Sequence, residues 1–281
     1  MIRRWILPLL LLIVVSGCAM SSQQEQPTPS STPNMQSQSV QPLSEQATPL
    51  LNGGPEIEHR KSDPMTLSQL RAKYPSTFIL NAPSAKTEVA LTFDDGPDEY
   101  FTPQVLDILQ KEGVKATFFL VGNRMEAHPD VVQRIIENGH IIGNHSYSHP
   151  NYATLKDKQF QKEILKTDKV IQRFTGYKPS FLRPPYGNIT EEQIKWLASQ
   201  HKRVVNWNVD SLDWKQINAA EVSKNILTKV HPGSIILQHS AGGVGQDLQG
   251  TVDALSDIIA KIKERGMTFV TIPELLDMPK G

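Results

Sequence analysis

TFDDGP, residues Thr92 to Pro97, follows directly on the apolar-alternating run TEVAL. It reads as a strand that ends by setting two carboxylates side by side and then turns at Gly96-Pro97. Successive strand residues point to opposite faces, and adjacent like charges repel, so such a pair implies something positive to hold. The same type of run recurs downstream, at residues 116–121, 140–143, 180–183, 203–208, 234–238 and 267–271. Between the runs lie stretches with apolar residues at three- and four-residue spacing, such as PQVLDILQKEG, PDVVQRIIENG and TVDALSDIIAKIKERG, several of them ending at glycine. Alternation of this kind predicts an α/β fold of about seven parallel strands with outer helices, closed into a barrel or an incomplete one. An open doubly wound sheet is the alternative, and no phosphate-binding glycine fingerprint follows the first strand. No nucleotide cofactor is therefore expected.

The N-terminus reads differently. MIRR, then WILPLLLLIVV, then SGC has the basic start, short apolar run and small residues of a secretory leader. The run is too short for a good membrane span. Val15-Ser16-Gly17-Cys18 resembles a bacterial lipobox, which predicts a leader over residues 1–17, a lipid on Cys18, and a protein held at the extracytoplasmic face of a bacterial cell membrane. Cys18 is the sole cysteine, so an intramolecular disulfide is excluded. Loss of Arg3 and Arg4 with the leader takes the basic count from 29 to 27 against 29 acidic residues. That is no footprint for nucleic acid. Residues 18–55 are rich in Ser, Gln, Pro and Thr and read as a disordered tether. Residues 56–85 form a short extension in which TLSQLRAKY suggests a helix, and residues 86–281 form the main domain.

The unusual polar residues fall at strand ends. Asp94 and Asp95 follow the first run, His145 and His149 the third, Arg183 and Tyr186 the fourth, Asp210 and Asp213 the fifth, and His239 the sixth. In a parallel barrel those ends meet on one face, where barrel enzymes build their sites. NHSYSHP sets two histidines at i and i+4, on one side of a helical turn. Two imidazoles and one carboxylate make a common catalytic metal set with an open position for water. One aspartate of the pair would supply that carboxylate, and the other, aimed differently by a bend at Gly96, would take a proton from the water. Each feature alone is weak, since DDG is commonly a turn. Their joint occurrence at one end of the sheet is the signal.

TFDDGP, HSYSH, RPPYG, DSLDW and LQH occur in the order of the five motifs of polysaccharide deacetylases, the NodB-homology proteins of carbohydrate esterase family four. The resemblance covers roughly residues 86 to 276. It implies a distorted (β/α) barrel and metal-dependent removal of acetyl groups from sugars. It also implies Asp94 as general base, with Asp95, His145 and His149 as ligands of one divalent metal ion, zinc before cobalt, nickel or manganese. Arg183 would orient the base, the Tyr186 backbone N–H would donate to the oxyanion, and His239 would be the general acid. The partner of His239 would be Asp213, with Asp210 as second choice. Leu237 would line the acetyl pocket, Pro185 is the candidate for a hydroxylated proline, and Trp214 and Tyr186 would wall the sugar site. The expected substrate is a polysaccharide of N-acetylated sugars, cell-wall peptidoglycan first. An O-acetyl esterase on xylan or another glycan, and an inactive glycan-binding envelope protein, are the alternatives.

Overall fold

The structure, a computed structural model, describes residues 47–59, 64–83 and 87–281, all within one compact unit, Glu45–Gly281. The leader, Cys18 and the tether up to residue 46 lie outside the described residues. Ahead of the main domain come α1 (Glu56–His59), α2 (Pro64–Lys73), which contains the anticipated TLSQLRAK helix, and a short strand β1 (Phe78–Ile79). The strand read from TEVALTF is β2 (Glu88–Asp94). It is followed by α3 (Phe101–Glu112), β3 (Thr117–Leu120), α4 (Gly122–Ala127), α5 (Pro129–Glu137), β4 (Ile141–Asn144) and α6 (Asp157–Thr175). Then come β5 (Phe181–Leu182), α7 (Glu191–Ser199), β6 (Arg203–Val205), β7 (Val209–Asp210), α8 (Ala219–Leu227), β8 (Ile235–His239), α9 (Gln249–Glu264), β9 (Thr268–Phe269) and α10 (Ile272–Leu275). Every apolar run singled out in the sequence holds a strand; β1 and β7, two residues each, lie outside those runs.

The strands pair in parallel in the order β1-β6-β5-β4-β3-β2-β8-β7, with β9 added to β2. From β2 to β6 each new strand adds on the same side, without the reversal a doubly wound sheet requires. The chain then passes from β6 to β7 at the other end of the order through Asn206, Trp207 and Asn208. Across this seam the Ala82 N–H donates to the Gly233 carbonyl (2.9 Å) and Asn81 bridges Ser234 in antiparallel sense. The curl is that of a distorted barrel, with irregular backbone where a closing ladder would run.

β2 shows why the pattern is so apolar. Val89, Leu91 and Phe93 pack outward with Leu106 and Leu109 of α3 and Leu255, Ile258 and Ile259 of α9. Ala90 faces inward with Phe119, Phe181, Val205 and Ile235, over a floor of Ile272 and Leu275 from α10. A strand covered on both faces reads as a near-continuous apolar run. Each such buried Leu, Ile or Phe side chain contributes about 1.5–3 kcal/mol. By the period of two, Thr92 and Asp94 share the inward face of Ala90, so the polar end of the strand opens above that floor.

Candidate active site

Parallel pairing brings the chemistry to one rim. Asp94 ends β2 and sits in register with Phe119 of β3 and His239 of β8. His145 follows β4 directly, Arg183 follows β5, and Asp213 follows β7. All of these side chains are buried. The bend expected at Gly96 lies one residue earlier, at Asp95, whose φ is 70°. That left-handed step swings the second carboxylate back over the barrel instead of leaving it on the outer face. Gly96 is needed for a different reason: a Cβ there would come within 2.7 Å of the Ser240 Oγ.

Asp95 Oδ1 lies 3.2 Å from His145 Nε2 and 3.0 Å from His149 Nε2. These three atoms lie within 4.8 Å of one another, close enough to hold one metal ion. The anticipated helical turn is absent. Residues 145–149 form a loop with Ser146 at φ 69° and His149 at φ 61°. Side chains supply the loop's hydrogen bonds. Asn144 Oδ1 accepts from the Ser146 N–H (2.9 Å), Ser146 Oγ accepts from the His149 N–H (2.8 Å), and Glu163 of α6 accepts from the amides of Tyr147 and Ser148 (2.9 and 2.8 Å). Glu163 went unremarked in the sequence because it lies mid-helix among lysines.

The donor set fits a divalent cation. His145 Nδ1 lies 2.7 Å from the Arg183 carbonyl, which only accepts, so Nδ1 carries the proton and Nε2 turns toward Asp95. Asp95 Oδ1 and both ring nitrogens of His149 are buried and make no hydrogen bond among the described residues. Carboxylate oxygen and imidazole nitrogen therefore converge at ion-pair distance without bonding geometry, which a cation placed among them would satisfy. Burial pushes the Asp95 carboxyl up, but His149 and His145 outweigh it and hold the group well below the usual range. For His145, burial lowers the pKa while Asp94 and Asp95 raise it, and the net direction is upward.

Asp94 is fixed from the other side. Arg183 Nη1 donates to Asp94 Oδ1 at 2.7 Å and to Thr92 Oγ1 at 2.8 Å, and Nε donates to the Val205 carbonyl at 2.9 Å. The guanidinium lies 4.1 Å from the Phe119 ring centroid, a cation–π contact within the barrel. One carboxylate oxygen is thus tied down, and Oδ2 lies 3.8 Å from His145 Nε2. Opposite, Asp213 accepts from the His239 backbone N–H (2.8 Å) and from Thr251 Oγ1 (2.7 Å), and its Oδ1 meets His239 Nδ1 at 2.7 Å. Burial opposes the charge on His239, yet Asp213 and Glu56 raise its pKa well above the ordinary value. Asp210, the second choice as partner, instead accepts the Leu212 N–H at 2.8 Å and closes its own turn. Leu237, two residues before His239, shares its inward face and is fully buried.

A cleft of about 640 Å³ opens over these groups, lined by Asp95, His149 and Trp214 among others. Tyr186 has a left-handed backbone (φ 60°), its ring lies 4.8 Å from that of His149, and Pro185 is buried in the same turn. The model of the family described as polysaccharide deacetylase matches residues 81–205. A peptidoglycan-N-acetylglucosamine deacetylase of Bacillus cereus is 49% identical over 203 residues, covering 72% of this chain and 73% of that protein. The chain belongs to the polysaccharide deacetylase family. Among solved structures, the Bc1960 peptidoglycan N-acetylglucosamine deacetylase in complex with 4-naphthalen-1-yl-N-oxidanyl-benzamide is 47% identical, with a TM-score of 0.73 over 76% of this chain and 99% of that one. The peptidoglycan-N-acetylmuramic acid deacetylase PdaC of Bacillus subtilis is 34% identical over 220 residues, 76% of this chain and 45% of that protein. The deacetylase rim extends past the matched segment, since Asp213 and His239 lie beyond residue 205.

One feature of this deacetylase was not anticipated. Residues 47–55, read from composition as tether, pack on the rim, and Glu56 of α1 places Oε1 3.3 Å from His239 Nε2. Composition reports what a segment can bury, and this one is held mainly through its backbone. The amides of Asn52 and Gly53 donate to the carbonyls of Ser148 (2.9 Å) and His149 (3.0 Å).

Proposed function

We propose that this enzyme hydrolyses N-acetyl groups on the amino sugars of peptidoglycan, with N-acetylglucosamine as the residue acted upon. The observation that carries the reading is the pairing of a buried two-histidine, one-carboxylate set with a second carboxylate, Asp94, on one side and an Asp213-backed histidine on the other. Support for the polymer comes from the 49% identical relative named for that activity.

Asp95, His145 and His149 are the residues that would hold a divalent ion, zinc first by their donor types. Such an ion supplies Lewis acidity, drawing electron density from the acetyl carbonyl and lowering the pKa of a water toward about 7. Asp94, oriented by Arg183, takes the proton from the attacking water as the new C–O bond forms at the acetyl carbon. The Tyr186 backbone N–H donates to the oxyanion. His239, kept charged by Asp213, passes its Nε2 proton to the sugar nitrogen as the C–N bond breaks. The products are acetate and a free amine. Leu237 packs the acetyl pocket, and Trp214 borders the sugar.

The leader over residues 1–17 and the lipidated Cys18 place the domain at the outer face of the cell membrane, beside its polymer. Among the described residues no helix is long and apolar enough to cross a membrane. Acetate release from N-acetylglucosamine oligomers, purified peptidoglycan and acetylated xylan tests the function. Release from the first two and not the third is expected; release from xylan alone would give the O-acetyl esterase reading.

A further inference from the structure

The segment 47–59 crosses the mouth of the site with more contacts than a passing linker needs. Beyond the amide bonds of Asn52 and Gly53, the Tyr186 hydroxyl donates to the Gly54 carbonyl (2.9 Å), and Asn188 Nδ2 donates to the His59 carbonyl (3.2 Å). The buried Arg124 donates to the Pro49 carbonyl (3.0 Å) and, with its other nitrogens, to the carbonyls of Asp95 (3.0 Å) and Gly242 (2.8 Å). One guanidinium thus ties the segment to two catalytic-rim loops. Gly53 passes so close to Tyr186 that a Cβ would fall 2.0 Å from its hydroxyl oxygen.

At the centre of this segment stands a buried carboxylate. Glu56 Oε1 faces His239 Nε2 at 3.3 Å, and Glu56, Asp95 and His239 each bring an atom within 4.8 Å of the others. In the reaction above, His239 Nε2 must point at the departing nitrogen, and the acetyl group must lie between that nitrogen and the Asp95 side of the site. Glu56 sits in that space, and its carboxylate has the shape and charge of the acetate product. Leu50 and Ile57, both largely exposed, stand at the same cleft mouth as Val244, where a glycan chain would have to enter.

We propose that residues 47–59 form an autoinhibitory strap, with the Glu56 carboxylate held as an internal stand-in for acetate. Polymer and strap then compete for one cleft, and deacetylation requires the strap to leave. This rests on the acetyl-hydrolase reading of the site, and the strap lies on the chain between the membrane-side tether and the catalytic domain.

Two variants of the full chain leave every rim residue intact. Glu56→Ala removes the carboxylate, and Gly53→Ala drives the strap off Tyr186 by steric overlap. Each is expected to raise kcat/KM on N-acetylglucosamine oligomers at least threefold, through KM, with kcat changed less than twofold and metal content unchanged. Sodium acetate at 100 mM against sodium chloride reads the same site without turnover, and is expected to raise the melting temperature of Glu56→Ala and not of the wild type. Unaltered kcat/KM in both variants, loss of metal from Glu56→Ala, or an equal acetate response in wild type and Glu56→Ala would overturn the strap. If no variant releases acetate from any glycan, the hydrolase reading fails, and the acetate-dependent melting still decides whether Glu56 fills an anion site.

Discussion

His145 Nε2 and Asp95 Oδ1 face each other at 3.2 Å while the imidazole proton is committed to the Arg183 carbonyl on the opposite side of the ring. Two lone pairs held at that distance in a buried site repel unless a cation stands between them. A proton can serve, which is why Asp94 and Asp95 raise the His145 pKa against its burial, and a divalent ion serves better because His149 joins the same group. Proton and metal therefore compete. Metal retention, followed by dialysis and elemental analysis, should fall as pH drops below the raised His145 value, and His149→Ala should lose metal at neutral pH.

The support of the histidine loop is testable separately. Glu163 accepts the amides of Tyr147 and Ser148, and so fixes the backbone that carries His145 and His149. Removing an outer partner of a ligand typically costs 10–100-fold in metal affinity. Glu163→Ala should weaken metal binding by roughly tenfold or more on that basis, measured by competition with a chromophoric chelator. Unchanged affinity would mean the loop holds its shape through Asn144 and Ser146 alone.

Asp94 touches the reacting water in this account but does not hold the metal. General base catalysis is worth about 10²–10⁴-fold, so Asp94→Asn should keep its metal and lose roughly that factor in kcat. A variant that loses metal and turnover together would reassign Asp94 to the ligand set.

Asp213 acts on the other proton. It is a main reason that the His239 pKa is raised, and the neutral Asn in Asp213→Asn would let burial lower it. The alkaline limb of the kcat/KM profile should shift to lower pH. The linked stability has the same sign: the pair stabilises the fold fully below the unfolded histidine pKa of about 6.5, and that contribution is lost as pH rises through the raised folded value. An alkaline limb that does not move would remove His239 as the proton donor.

His140 provides a contrast far from the rim. Burial, assisted by Lys115, pushes its pKa down to about 4, and its Nδ1 accepts the Ala116 N–H at 3.1 Å. A depressed histidine stabilises the fold above the unfolded pKa, and this is lost as pH falls from about 6.5 toward 4. Wild type should therefore lose about 1.4 kcal/mol per pH unit more than His140→Gln across that window, read from urea melts at pH 7 and pH 5. Equal slopes would show that His140 titrates normally.

The barrel was legible because parallel strands buried on both faces leave long apolar runs, and β2, β3, β4 and β8 all have four or more residues. β1 and β7, like β5 and β9, have two residues each, too few to carry a period. β5 and β9 lie inside longer apolar runs, whereas β1 and β7 lie outside the runs read from the sequence and are strands because neighbours pair with them. The convergence of Asp94, Asp95, His145, His149, Arg183, Asp213 and His239 on one rim was legible, because motif order survives whatever path the backbone takes. Its local geometry was not. The i, i+4 spacing of His145 and His149 suggests a helical turn, yet Asn144, Ser146 and Glu163 hold a loop. The aspartate pair suggests a glycine bend, yet Asp95 itself takes the left-handed conformation. Glu56 was illegible for a further reason: it reaches His239 across 183 residues, and nothing in the preceding ATPLLNGGP, residues 47–55, signals that its backbone will be captured.

The most direct test is acetate release from purified peptidoglycan by one preparation measured as isolated, after chelator treatment, and after return of one equivalent of zinc per chain. The account predicts release, then near-complete loss, then recovery at that single equivalent. Undiminished release from demonstrably metal-free enzyme would contradict a reaction built on Asp95, His145 and His149.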